Sequence, residues 1–530
     1  MENTLKSRFR TQPLEMNASP HHIVILGGGT AGWLTAGVLG AEFEPATIKI
    51  TLVESPTTPT IGVGEGTWPS MKSTLLKIGL SERMFIKECS AALKQGTHFK
   101  NWLHGKGETY YHPFTLPHGF AELNLADHWV RGHLGDQSFA SCVTPQFAVC
   151  EAGLAPKQLS VPEYAHTLNY GYHLDAGKFA AMLSAHAVNN LGVEHVIADV
   201  TAVTSSENGD IEALVTDKGP ITGDLFIDCS GFRSVLLGEH YEVPFVSQKH
   251  VLFNDSALAV QVPYGPESGI ATTTKSTAHE AGWIWDIGLQ HRRGVGAVFS
   301  SAHASTDAVE EQLDTYLKET GHPPGLSEFE PRLIRFDPGF RASFWHRNCV
   351  AVGLSAGFIE PLEASALVLV ELSARSIAQQ FPKTRQQMDT VAQRFNAEFL
   401  QRWEQIIEFL KLHYALSRRE DSTYWIEHRQ AASVPSSLTE KLADWRHRCP
   451  WHLDERKVDE MFPSASYQYV LYGMNFKSEL GKDSRRHSEA SLARAHALKA
   501  EIDAHSSRYL QHLPHHRSLL DQAIAHGFAG

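Results

Sequence analysis

The stretch His22-Ile-Val-Ile-Leu-Gly-Gly-Gly-Thr-Ala-Gly-Trp33 narrows the folds open to this chain more than any other. Its apolar, β-branched first half, His22 to Leu26, predicts a buried parallel strand. The run passes straight into Gly27, Gly29 and Gly32, spaced G-x-G-x-x-G. In that spacing the first glycine permits a tight turn, and the second lets backbone approach a pyrophosphate. The third lets the next helix pack close to the strand. A helix is expected through Leu34–Gly40, with free N–H groups at its N-terminus for phosphate. A second strand, Ile48–Ser55, brings Glu54 about 20 residues beyond Gly32, where a carboxylate can accept a ribose hydroxyl. The glycines alone are a weak signal, compatible with a glycine turn in some other α/β protein. Strand, glycines, helix, strand and acid in that order point to a dinucleotide.

With 530 residues the chain has room for two or three domains, or for one large α/β unit with an appended module. A net charge of -12, with no Lys/Arg stripe, argues against a nucleic-acid partner. Residues 1–20 are polar and end in Ser-Pro, so they read as a disordered tail rather than a signal peptide. No apolar run approaches membrane-spanning length. The six cysteines are scattered without a C-x-x-C, which predicts reduced thiols in a cytoplasmic protein. His512, His515 and His516 match no metal signature and read as solvated, so no metal site is expected.

Beyond Glu54, the glycine-rich Ile61–Pro69 is either a plain loop or a strap over a cofactor. Helical pattern follows over Ser70–Leu80 and again from Ser81 to Leu93, and Lys94 ends it, by itself a solvated charge. The aromatic block Tyr110–Phe114 suits a core or one wall of a flat site. Residues 115–165 show little periodicity. A helix over Asp175–Asn190 leads to a strand Val193–Val203, then a hairpin of Ile211–Thr216 with Ile221–Ile227. That hairpin ends in Asp228-Cys-Ser-Gly, whose D-x-x-G suits the edge of a nucleotide site. Residues 255–300 predict antiparallel sheet, with Trp283, Trp285 and Ile287 on one face. The strand Asn348–Gly353 opens into a turn carrying Glu360 and Glu363, acids that suit a solvated helix start. From Ala366 onward the pattern is almost wholly helical, including Arg385–Leu416 and Arg485–Ala525.

Taken together, these motifs resemble the flavin-dependent halogenases of the tryptophan halogenase family. Gly62-Val-Gly-Glu-Gly-Thr67 resembles their flavin strap. Trp283-Ile-Trp-Asp-Ile-Gly288 resembles their W-x-W-x-I-P, with glycine in place of proline. Ser90–Lys94 followed by Phe99–Trp102 is similar to the segment of their catalytic lysine, and Phe358–Glu363 to that of their glutamate. The family usually follows that glutamate with Ser-Thr-Gly, whereas this chain has Ala364-Ser-Ala366. The likeness runs from about residue 22 to about residue 430.

The resemblance implies an α/β fold: a Rossmann-type FAD-binding domain with an inserted antiparallel sheet over residues 21–370, then a helical C-terminal module over 371–530. It implies FAD contacts from Gly27, Gly29, Thr30, Ala31, Gly32 and Glu54, and from Val63, Gly64, Glu65, Val200 and Leu354. Reduced FAD would come from a separate flavin reductase, with chloride or bromide as co-substrate held by the backbone of Ser365 and Ala366. Hypohalous acid would pass to Lys94, as a hydrogen-bonded species or as a haloamine, and Glu363 would polarise it or remove the ring proton. His112 and Phe114 would hold a flat aromatic substrate, with an indole expected. Two other readings stay open: a flavin monooxygenase that hydroxylates its substrate, and a flavin-binding protein that has lost catalysis.

Overall fold

The computed structural model describes residues 21–57, 64–265, 267–454, 460–481 and 488–529. The tail at residues 1–20 and Val63 lie outside these. The first apolar run is a strand, His22–Leu26, with Ile23, Val24 and Ile25 fully buried. It lies inside a six-stranded sheet ordered Trp345–His346, Cys349–Ala351, Leu225–Asp228, His22–Leu26, Lys49–Glu54, Glu194–Ile197. All pairings are parallel except the first, so both faces of the sheet need cover. The crossover helix Thr30–Gly40 supplies part of it. The expected strand over 193–203 is in fact two, because the chain leaves this sheet after Ile197 and starts a three-stranded one at Val200–Ser205. The hairpin also closes earlier than expected. Ile211–Thr216 pairs with Gly219–Thr222, and Leu225–Asp228 joins the parallel sheet instead.

The predicted antiparallel sheet is the middle of a larger, seven-stranded one. Its order is Arg332–Arg335, Ser256–Pro263, Arg292–Phe299, Gly282–Gly288, Thr274–His279, Gly96–Lys100, Thr109–Pro113. The last two strands come from the aromatic region, so the block at Tyr110 is wired into the tryptophan sheet through Thr274–His279. A small sheet links the two large ones: Glu65–Gly66, Gly171–Leu174, Ala92–Lys94.

Here the helical reading of Ser81–Leu93 is corrected. The helix Glu82–Glu88 begins on a Ser81 cap, and Ser90 then takes a left-handed φ of 49° and turns the chain out of it. Ala92–Lys94 is a strand, antiparallel to Gly171–Leu174. Helix and strand share an anchor in Glu82, which is fully buried. It binds Lys157 Nζ at 2.8 Å and accepts from the hydroxyls of Tyr170 and Tyr172.

The long helix Arg385–Ala415 runs 31 residues and buries its C-terminal third, Ile406 to Tyr414. The predicted stretch 485–525 breaks at Pro514 into Glu489–His512 and His516–His526. One connected apolar core extends from Ile23 through Phe409 to Leu520.

Candidate functional site

At the sheet's C-terminal edge the glycines are used as their spacing requires. Gly27 has φ 118°, and a Cβ there would stand 2.2 Å from Cys229 O. A Cβ on Gly32 would meet Gly27 O at 1.8 Å. At Gly29, by contrast, an added Cβ would meet no described atom within 4 Å, at the start of the helix Thr30–Gly40, which has no side-chain cap among the described residues. Thr30 and Ala31 carry the first N–H groups of that helix, so an anion fits there. Glu54 ends its strand beneath the loop, where a Cβ on Gly28 would touch its carboxyl at 2.1 Å. His195 Nε2 pairs with Glu54 Oε2 at 2.9 Å. Val200 starts its strand beside this end, since Ala198 N–H donates to Glu54 O. Leu354 lies in the turn Gly353–Ser355, and Gly353 packs against Ala31. The donor set and the open loop suit a dinucleotide. Asp228 does not face that loop. Its carboxylate accepts from Ser230, Leu236 and Leu237 N–H and so braces its own turn.

The described part of the strap, Gly64 to Thr67, is not a free loop. Gly64 has φ 113° and packs on Ile287, and Glu65–Gly66 pairs with His173–Leu174. Ala92 pairs with His173 from the other side, so strap and lysine strand flank one strand. Gly66 matters for this closeness. A Cβ there would stand 3.2 Å from Lys94 Nζ and 3.3 Å from the Ala364 methyl.

Lys94 is only 1% exposed, not solvated. Its Nζ lies 5.3 Å from the centre of the Phe114 ring and donates no hydrogen bond to a described residue. Burial lowers its ammonium to about 8, with the Glu363 carboxylate pulling the other way. Glu363 is buried as well, against the expectation of a solvated acid. His112 Nδ1 donates to Glu363 Oε1 at 2.8 Å, and His413 Nε2 stands 3.3 Å from the same oxygen. Burial works to raise this carboxyl, but His112 and His413 overrule it and hold it well below the usual carboxylate range. Oε2 takes no hydrogen bond from a described residue. The backbone here is strained, with Glu363 at φ 64° and Ala364 at φ 55°. Trp68 Nε1 pins the turn by donating to Glu363 O at 2.7 Å. Immediately after it the helix Ser365–Gln379 starts with no side-chain cap among the described residues, and Ser365 and Ala366 carry its first N–H groups.

Glu360, equally buried, has a different environment. It accepts from Trp283 Nε1 at 2.7 Å, Asn254 Nδ2 at 2.5 Å and Tyr414 OH at 2.8 Å. Burial raises this carboxyl, and the three donors oppose the shift. Two residues of this region had little or no sequence signal. His413 comes from the last turn of the long helix, with Nδ1 on Phe409 O. Ser466, in the helix Ser464–Gly473, pairs with His112 Nε2 at 2.9 Å. Around the lysine–glutamate pair stand Tyr110, whose buried hydroxyl has no partner among the described residues, and Phe409 stacked on Phe462. Among the described residues no group of His, Cys, Asp and Glu is disposed to hold a metal, and no helix is long and apolar enough to cross a membrane.

Comparison with known proteins gives a consistent result. The tryptophan halogenase family model matches residues 22–488. A tryptophan 6-halogenase from Streptomyces albogriseolus is 33% identical over 94% of this chain and 98% of its own length. The crystal structure of a tryptophan halogenase from Shewanella frigidimarina superposes with a TM-score of 0.92 at 46% identity, covering 97% of this chain and 99% of that one. A flavin-dependent halogenase from Brevundimonas superposes with a TM-score of 0.82 at 33% identity, covering 95% and 99%.

Proposed function

This chain belongs to the tryptophan halogenase family, and from that premise we propose that it halogenates an electron-rich aromatic, an indole, with Lys94 and Glu363 as its catalytic pair. It is a flavin-dependent enzyme. The flavin is FAD, delivered reduced by a separate reductase, and the co-substrate is chloride or bromide. When bound, reduced FAD supplies the oxygen chemistry that converts halide to hypohalous acid. Gly29 and the N–H groups of Thr30 and Ala31 bind its pyrophosphate, and Glu54 its ribose. Gly32 and Gly27 keep that loop tight, while Gly64, Glu65, Val200 and Leu354 line the rest. Ser365 and Ala366 hold halide on backbone N–H groups.

Lys94 receives the oxidant beside the ring. Its value near 8 leaves both ammonium and amine accessible around neutral pH, so it can hydrogen-bond hypohalous acid or carry the halogen on nitrogen. The ring carbon attacks the halogen, a C–X bond forms as the O–X or N–X bond breaks, and Glu363 accepts the proton the ring loses. Phe114 and His112 orient the ring. The observation that carries this reading is the convergence of a buried Lys94 ammonium with Phe114 and with Glu363, the ammonium and one Glu363 oxygen having no hydrogen bond among the described residues. Lys94→Ala is expected to abolish halogenated product while flavin still binds. Near-normal turnover in that variant would sink the assignment.

A neutral substrate is favoured. The helix Ser464–Gly473 carries no charged side chain, so nothing in it would pair with an amino acid's zwitterion. Burying such charges unpaired is costly.

A further inference from the structure

The lysine strand is an edge strand, paired among the described residues only with Gly171–Leu174. A buried edge must find partners for its outward N–H groups elsewhere. Just past the strand, Gln95 N–H donates to Thr272 O at 2.7 Å. Within it, Leu93 N–H donates to His516 Nε2 at 3.0 Å, across 423 positions of sequence. The other imidazole nitrogen, Nδ1, lies 3.2 Å from Ile270 O. These two contacts together demand a neutral ring with its proton on Nδ1. Burial lowers the imidazole to about 4, which keeps that form at neutral pH. His516 is thus not one of a solvated trio: it is 1% exposed, whereas His512 and His515 are on the surface.

The ring is itself held firmly. Its helix, His516–His526, is fastened through Ala155 N–H on Pro514 O, His516 N–H on Gly153 O and the Arg83 guanidinium on Ile524 O. The Gly288 that replaces the family proline belongs to this arrangement. A Cβ on it would stand 3.0 Å from Ala271 N and 3.2 Å from Ile270 Cγ2, so the glycine gives segment 270–272 room. That segment supplies both outer acceptors, Ile270 O for His516 and Thr272 O for Gln95.

We propose that His516 is a positioning residue for Lys94: the C-terminal helix holds the outer edge of the lysine strand through the Leu93 N–H and so keeps the ammonium over Phe114 and beside Gly66. The proposal rests on the reading of Lys94 as the receiver of hypohalous acid. His516 touches neither the ammonium nor the ring to be halogenated. Its loss acts on capture of the oxidant, not on its formation.

Two variants of the full-length chain separate the acceptor from mere bulk. His516→Gln can still offer an oxygen to Leu93, whereas His516→Asn can reach Ile270 O but is too short to accept from Leu93. The first readout is amide hydrogen exchange at Leu93 in the protein alone. The second is the ratio of halogenated indole to trapped hypohalous acid, with reductase, FAD, halide and an excess of a soluble β-diketone scavenger. His516→Asn is expected to speed exchange at Leu93 and to lower the product ratio about 10- to 100-fold, the scale of a displaced reacting group, with KM for indole unchanged. His516→Gln is expected to restore both. Wild-type exchange in His516→Asn, or an equal fall in ratio in both variants, would overturn the proposal. Should His516→Asn not fold, His516→Gln decides alone: full product with Leu93 left open to exchange contradicts the proposal, and full product with Leu93 protected supports it. Lys94→Ala run alongside keeps the two failures apart. If it retains the wild-type ratio, the reading of Lys94 fails; if it loses product while His516→Asn does not, only the positioning proposal fails.

Discussion

Glu360 and Glu363 sit on one turn, are the same residue type and are both buried, yet their surroundings differ. Glu360 is saturated by three donors from three parts of the chain: the tryptophan strand, Asn254 and the long helix through Tyr414. It brackets the structure. Glu363 has one good hydrogen bond, from His112, its Oε2 accepts none from a described residue, and its charge is felt at Lys94. Its backbone is held in the left-handed region at φ 64°, a conformation that persists only where the surroundings impose it. Satisfied acceptors stabilise, whereas an acceptor held in place but left unsatisfied is available for chemistry.

Exchanging each acid for its amide separates the two environments most sharply. Glu363→Gln is expected to slow halogenation about 10²-fold, the scale of a positioned proton acceptor, with little change in melting temperature. Glu360→Gln should do the reverse. Turnover of the folded protein stays near wild type, while stability falls by about 1–3 kcal/mol as a buried donor set loses its acceptor. Calorimetry and steady-state rates on both variants check this. A crippled Glu360→Gln beside a normal Glu363→Gln would invert the assignment.

A subtler effect follows from charge. The Glu363 carboxylate raises the Lys94 value against burial, so the halogenation profile should carry an inflection near pH 8 that moves to lower pH in Glu363→Gln. A rate that climbs through the inflection identifies the amine as the working form, and one that falls identifies the ammonium. An inflection unmoved by the substitution would separate the two residues electrostatically. The smallest expected effect concerns substrate. Indole and tryptophan competing at equal concentration should give a kcat/KM ratio in favour of indole. A ratio favouring tryptophan about tenfold would mean that residues outside the helix Ser464–Gly473 hold its charges.

The same contrast explains what could be read from the chain directly. Gly27, Gly29, Gly32 and Glu54 are legible because their job is local: the strand, turn and helix that need them are contiguous. Trp283, Trp285 and Ile287 are legible because alternation marks a strand. Lys94 is misread as the end of a helix because its strand is defined by a partner at Gly171–Leu174, remote in sequence. The acids at 360 and 363 look solvated because nothing nearby announces Trp283, Tyr414 or His112. His516 looks like one of three surface histidines until Leu93 and Ile270 are set against it. The glycine loop is a local construction, whereas the surroundings of Lys94 and Glu363 are assembled from distant segments.

This chain attaches halogen, not hydroxyl, to an aromatic ring. The direct measurement supplies the wild-type protein with reductase, FAD, NADH, oxygen and indole, and reads the product by mass spectrometry with chloride, with bromide and with neither. A product bearing the isotope doublet of the halide supplied is expected, and no such product when halide is withheld. A hydroxylated indole formed equally with and without halide would contradict it.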